Sequence, residues 1–365
     1  MLYTFAIIAA VASFLLNWFI RSWAIKKNVG MQAPRERDLH QKPIPRLGGV
    51  SIVIVFLVMM ILAAAILPKS ATDFGFPFAI LGVSIDKRLL GILLATVLLS
   101  SVMLFDDLKG VKPVYKLISQ IAAALVLIVS GVGITYLNNP FGLAIQLDTI
   151  KISLNIAGIT YHFILWADLL LILWVVLLTN ATNFIDGLDG LATSLAGIAG
   201  LILVFLGLRM GQNAAALLSA VFVGVIVGFF PLNKPPAKMF LGDTGSMFLG
   251  LMLAGLTVIS GGKFATILLV FGLVIIDAIY VILKRLFRGQ NPLTTPDQNH
   301  LHHRFLQAGI SPRMALVIIS LISLAFGLAG LVSSGKIKIE LIGVLVIFSF
   351  ILFAFLDLKR KRART

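Results

Sequence analysis

Eleven runs of apolar residues, each close to the length of a bilayer crossing, dominate this chain and leave few folds open to it. They lie at 2–20, 47–67, 89–105, 115–133, 163–181, 191–208, 213–230, 246–260, 264–287, 314–332 and 339–356. About 20 apolar residues let a helix cross the hydrocarbon core. Lipid offers the backbone no hydrogen bonds, so only helices or closed barrels cross it. The runs are continuous rather than alternating, which argues against a barrel. With 59% of 365 residues hydrophobic and a mean hydropathy of +1.04, the chain reads as one all-α integral membrane domain over 1–365, with about eleven transmembrane helices. The first run has no small-residue cleavage site and precedes a basic loop, so it reads as a retained helix rather than a signal peptide. The absence of cysteine excludes disulfides, thiolate nucleophiles and cysteine metal sites.

The net charge of +15 follows the membrane, and no nucleic-acid partner is expected. With the first residue outside, the 30 Lys and Arg sort into 22 inside and 8 outside, which is the positive-inside asymmetry. The tail "KRKRART" and the loop with Arg35, Arg37, Lys42 and Arg46 then meet anionic membrane lipids at a cytoplasmic surface. The longest outer segment, 134–162, contains alternating, β-branched sequence that predicts a small hairpin. Acids, amides and histidines gather at the inner side: His40, His300, His302, His303, the pairs Asp106–Asp107 and Asp186–Asp189, and Asp243. The chemistry is therefore expected on the cytoplasmic face. No internal repeat appears, which counts against the inverted-repeat transporters.

Five inner segments carry the polar groups. In "NATNFIDGLDGLA", Asn180, Asn183, Asp186 and Asp189 recur every third residue without a neutralising cation; a plain solvated turn is the alternative. "LFDDLKGVKPVYK" sets two adjacent carboxylates at a membrane edge, where a cation or a shared proton must compensate them. Lys109, Lys112 and Lys116 offer the cations, and the pair suits a metal site or a general base. In "PLNKPPAKMFLGDTGSMFLG" the Gly-Asp-Thr-Gly-Ser element offers amides for phosphate and an acid for Mg²⁺, or simply a helix cap at Thr244 or Ser246. "NPLTTPDQNHLHHRFLQAGIS" brings His300, His302, His303 and the forked donor Arg304 together, which suits a diphosphate better than zinc. "RERDLHQKPIPRLGGVSI" offers Lys42 and Arg46 to a phosphate, or is an ordinary positive-inside loop. Asp277, deep in the ninth run, is either functional or paired with Lys284 or another nearby cation. Carboxylates, amides and cations beside lipid suit phosphoryl transfer between a nucleotide and a bilayer-dissolved substrate.

"FDDLKG", "NATNFIDGLDGLA", "FLGDTGS" and "HLHHR", in this order between these runs, resemble the polyprenyl-phosphate N-acetylhexosamine-1-phosphate transferases of glycosyltransferase family 4. The resemblance covers roughly 35–311. "HLHHR" is similar to the branch using UDP-N-acetylglucosamine; the phospho-N-acetylmuramoyl-pentapeptide branch, the alternative, typically carries "PLHHHFE" here. The resemblance implies Mg²⁺, with Mn²⁺ as a substitute, on Asn183 and Asp243. It implies catalytic roles for Asp106, Asp107 and Lys116, and nucleotide contacts from Asp186, Asp189, Asn233 and Phe240, the last stacking on uracil. His300, His302, His303 and Arg304 would hold the diphosphate and sugar, and Lys42 and Arg46 the lipid phosphate. The implied partners are UDP-N-acetylglucosamine and undecaprenyl phosphate in a bacterial plasma membrane, with a homodimer compatible. An ion-coupled transporter is the rival class, but it needs acids in mid-span. The amide–acid ladder is expected to be a broken helix end, bent at Gly187 and Gly190.

Overall fold

The computed structural model describes residues 1–32, 43–80, 83–156, 159–287, 289 and 300–362. Twelve helices carry the described chain: α1 (Leu2–Lys27), α2 (Gly48–Ile66), α3 (Lys87–Lys109), α4 (Pro113–Val129), α5 (Leu165–Ile185), α6 (Leu191–Arg209), α7 (Asn213–Asn233), α8 (Gly242–Ile259), α9 (Phe264–Phe287), α10 (Leu301–Gln307), α11 (Pro312–Val332) and α12 (Gly335–Arg362). Ten are long and apolar enough to cross a membrane. The eleventh expected span, at 115–133, is α4, which begins with a helix-starting proline and stops after 17 residues. The remaining helix, α10, is a short piece at the site end of the bundle.

The hairpin expected in 134–162 is present as β7 (Lys151–Ile156) and β8 (Ile159–Ile164), antiparallel with Lys151 opposite Ile164. Three further two-stranded pairs were not anticipated, two of them β3 (Pro77–Ile80) with β4 (Val83–Asp86) and β5 (Tyr136–Leu137) with β6 (Ile145–Gln146). The most consequential joins β1 (Met31–Gln32) to β2 (Ile44–Pro45) and leads Arg46 toward the start of α2.

The bundle is built around α8, whose apolar window is 94% buried. It packs against α2, α3, α5 and α6, while α1 lies along α7, and α9 meets α11 and α12. In lipid, helix association relies on close van der Waals packing of small residues rather than hydrophobic drive. Here glycines supply that closeness. A Cβ on Gly49 would collide with the backbone nitrogen of Gly245, one on Gly250 with the backbone of Thr179, and one on Gly228 with the Ala10 carbonyl. The α2–α8 crossing places the starts of both helices at the end of the bundle where α3 and α5 finish.

Gly49→Ala should therefore destabilise the detergent-solubilised protein by about 1–3 kcal/mol, because a helix backbone cannot yield as a side chain can. Gly255, whose Cβ position has no neighbour within 4 Å, is the control: Gly255→Ala should be neutral or stabilising by up to about 1 kcal/mol. Thermal melting checks both, and equal melting temperatures for the two variants would refute the crossing.

Candidate active site

The last turn of α3 delivers Asp106 and Asp107, which diverge by about 100° as helix neighbours and make different bonds. Asp107 accepts the backbone N–H of Asp243 at 2.8 Å, that of Thr244 at 2.9 Å, and the Thr244 hydroxyl at 2.7 Å. It satisfies the open amides at the start of α8 from another helix. Asp106 accepts the Val111 N–H at 2.7 Å and the Lys116 ammonium at 2.6 Å. Lys116 also reaches Asp243 Oδ2 at 2.6 Å. Arg46 donates to Asp243 Oδ1 at 3.1 Å and stands 3.5 Å from Asp107 Oδ1. Asp106, Asp107 and Asp243 offer carboxylate oxygens within 4.8 Å of one another, and two cations offset their repulsion.

The ladder of the second motif breaks where its glycines were expected to bend it. α5 stays helical through Ile185, so Asn180 and Asn183 lie on helix, and only 186–190 turns, ending at Gly190 with φ +75°. Asn180 donates to Gln120 Oε1 at 2.9 Å and fastens α5 to α4. Asn183 donates to Ser246 Oγ at 2.9 Å, one turn from Asp243; this use of its NH₂ orients the amide, whose oxygen is the group able to ligate a cation. Asp189 accepts the Ala237 N–H at 2.8 Å. Asn233, 2% exposed, accepts from Thr193 at 3.0 Å and donates to the Met239 carbonyl at 3.2 Å. Both therefore hold the 234–241 loop that carries Phe240. Phe240 itself exchanges backbone bonds with Pro45 and Gly48.

The histidine segment folds against the same turn. The His300 ring stacks on Phe184 with centroids 5.2 Å apart, and a Cβ on Gly187 would lie 2.5 Å from His302 Nε2. Arg304 is 2% exposed and sits over the Tyr280 and Phe353 rings, 4.8 and 4.9 Å from their centroids, with Nη1 3.4 Å from Asp357.

A family model for glycosyl transferase family 4 matches residues 89–261. A decaprenyl-phosphate N-acetylglucosaminephosphotransferase of Mycolicibacterium smegmatis is 33% identical, covering 86% of this chain and 77% of the relative. The chain belongs to the polyprenyl-phosphate N-acetylhexosamine-1-phosphate transferase family. A probable undecaprenyl-phosphate N-acetylglucosaminyl 1-phosphate transferase of Bacillus subtilis is 28% identical over 94% of this chain and 88% of the relative. A phospho-N-acetylmuramoyl-pentapeptide-transferase of Staphylococcus carnosus is 25% identical over 91% and 98%. With ten apolar helices and these bacterial relatives, the transferase is a multi-pass bacterial membrane protein.

The transferase fold thus gathers Asp106, Lys116, Asn183, Asp243 and Arg46, with Asp186 close enough for its charge to be felt. Loss of water, and then the charge of Asp243, push the Asp186 carboxyl well above the usual range. Asp107 bonds the start of α8, Asn233 its own loop, and Arg304 contacts α9 and α12. Lys42 lies outside the described residues. Sequence reasoning offered Thr244 and Ser246 only as helix caps, whereas they bond Asp107 and Asn183, and it missed Gln120, whose amide beside Ser119 in an otherwise apolar helix was the visible signal. Among the described residues, the donors available to a cation are all hard oxygens, from Asp106, Asp243 and the Asn183 amide, and this set fits Mg²⁺ or Mn²⁺.

Burial, and then the neighbouring His303 and His300, hold His302 well below its ordinary pKa of 6.5. A histidine kept neutral in the fold costs stability only where the unfolded chain takes up a proton. Stability should therefore be unaffected above pH 6.5 and fall below it, by about 1.4 kcal/mol per pH unit at most. Melting of the wild type and of His302→Phe between pH 7.5 and 5.0 checks this: the wild type should lose more, and parallel curves would contradict it.

Proposed function

We propose that this transferase moves N-acetylglucosamine-1-phosphate from UDP-N-acetylglucosamine to undecaprenyl phosphate at the cytoplasmic face, with Mg²⁺. A lipid phosphate oxygen attacks the phosphorus that bears the sugar. The bond from that phosphorus to the bridging oxygen breaks, UMP leaves, and a lipid-linked diphosphate sugar forms. The observation that carries this reading is the Asp106–Lys116–Asp243–Arg46 chain of charges at one end of the bundle. It offers cations for phosphates and carboxylates for a metal in one place.

Asp243, Asp106 and the Asn183 oxygen would hold Mg²⁺, which when bound supplies charge stabilisation to the diphosphate and the departing UMP. Lys116 and Arg46 neutralise phosphate oxygens, and Lys116 holds Asp106 in the orientation where it positions the lipid phosphate or takes its proton. Asp189 and Asn233 shape the loop that presents Phe240 to the uracil. His300, His302 and His303, packed against the end of α5 and its turn, would hold the diphosphate and sugar, with Arg304 beside them. The inner-side excess of Lys and Arg supports the cytoplasmic placement. The relative named for phospho-N-acetylmuramoyl-pentapeptide transfer keeps that larger donor as the second reading.

Purified protein with undecaprenyl phosphate and a panel of UDP-sugars should release UMP from UDP-N-acetylglucosamine, stop on chelation, and recover with Mg²⁺ or Mn²⁺. Robust transfer from UDP-N-acetylmuramoyl-pentapeptide instead would move the chain to the second reading. Asp243→Asn and Asn183→Ala should lower turnover about 100-fold or more and raise the Mg²⁺ needed for half-activity; an unchanged Mg²⁺ titration would remove them from the metal site. Asp106→Asn should reduce kcat about 10²–10⁴-fold, the usual range for a proton-transfer group, while donor affinity measured by binding stays near wild type. Collapse of donor binding would assign Asp106 to the nucleotide instead.

A further inference from the structure

Asp277 is an acid inside α9, and its partner is not the Lys284 that sequence spacing suggested. Its Oδ2 lies 3.0 Å from His300 Nδ1, 23 residues further along the chain. Asp277 is 3% exposed and His300 9%. Ten residues of α9 continue beyond Asp277 to Phe287, a rise of about 15 Å. The chain must therefore return by that distance to bring His300 beside it. The return ends in contact with the active site: His300 stacks on Phe184 at the end of α5, and His302, parallel to it within 3°, lies against Gly187. The middle of α10 is held by Arg304, which lies over the adjoining rings of Tyr280 and Phe353 and beside Asp357.

This geometry selects one arrangement of the His300 ring. A carboxylate at Nδ1 requires that nitrogen to carry a proton, leaving Nε2 as the nitrogen offered to a ligand. His300 begins α10 without using its side chain as a cap, because the ring is committed to Asp277. Asp277 Oδ1 is buried and makes no hydrogen bond among the described residues, a cost that a purely packing residue would not carry.

We propose that Asp277 is a positioning residue for the transfer reaction: from within α9 it fixes the place and tautomer of His300, and so seats the 300–304 segment against the 186–190 turn where the donor diphosphate is bound. It touches neither donor nor acceptor and acts through His300. This role presupposes the diphosphate-holding part of the function proposed above.

A double-mutant cycle with Asp277→Ala, His300→Ala and the pair tests it, reading donor KM, acceptor KM and kcat together. A charge-assisted bond of this kind corresponds to roughly ten- to a hundred-fold, so each single variant should raise donor KM by that factor with acceptor KM unchanged. The pair should be no worse than His300→Ala alone. Asp277→Glu should recover part of the loss, and Asp277→Asn, which keeps an acceptor oxygen, should lie between the wild type and Asp277→Ala. Multiplying penalties in the pair, or a donor KM in Asp277→Ala equal to wild type, would overturn the role. If Asp277→Ala fails to fold, the same comparison is made with Asp277→Asn, and an unchanged donor KM there would overturn it equally. Failure of the unmodified protein to transfer from any UDP-N-acetylhexosamine would instead bring down the function proposed above. In that event ¹⁵N-histidine spectra decide the Asp277 contact separately: the Nδ1-protonated His300 signal should be present in the wild type and lost in Asp277→Ala.

Discussion

A single carboxylate, Asp107, fixes where the central helix of the bundle begins. Three donors from Asp243 and Thr244 converge on it, and Gly242, at φ +74°, is the residue that lets the chain turn into this grip without a side chain in the way. Helix starts leave amides unpaired, and at the edge of a bilayer an unpaired amide is expensive. Asp107 removes that cost and in doing so sets the height of α8 against α3. The distances that α8 makes in the site follow from that height: Asp243 reaches Lys116 and Ser246 meets Asn183 because α8 starts where Asp107 holds it.

The two adjacent acids of α3 therefore divide their work through helix geometry alone. One faces the protein and is consumed by backbone; the other faces the cations. Two neighbouring carboxylates tolerate this position because their compensation differs. Asp107 has amides, a hydroxyl and the nearby Arg46, and Asp106 has the Lys116 ammonium. The ammonium shared by Asp106 and Asp243 is held by two carboxylates that a hard cation would also seek. The same pair can then serve a phosphate or a metal without a change of fold.

The spans and the cluster of acids at their ends were legible in the sequence, because lipid forces helices and hydropathy marks them. α4 was legible as apolar but not in its length, since a Pro start and an early stop depend on how it leans on α3 and α5. The site was legible as a list of residue types. Its division of labour was not. Asp107's partners lie 136 and 137 residues away, Asn233 is turned inward by Thr193 from another helix, and Asp277 chooses His300 over the Lys284 on its own helix face. Local spacing predicts partners within an element; it has no access to a partner delivered by a returning chain. Arg304 shows the same limit: its charge suggested a diphosphate donor, and its place over the adjoining rings of Tyr280 on α9 and Phe353 on α12 was not visible in local spacing.

The site is consequently assembled from two differently supported halves. The carboxylates and amides stand on α3, α5 and α8, whose glycine crossings allow no sliding. The histidines stand at the start of α10, a helix of 7 residues tied at its N-cap by Asp277 and at its middle by Arg304. A rigid half suits groups that must meet a reacting phosphorus within a fraction of an ångström, since misplacement there costs rate directly. A tethered half suits the role proposed for the histidines, holding the donor's diphosphate and sugar, because α10 meets α11 and α12 rather than α8. On that reading one fold can keep its phosphoryl-transfer groups in the bundle and its donor contacts in a short segment leaning on it.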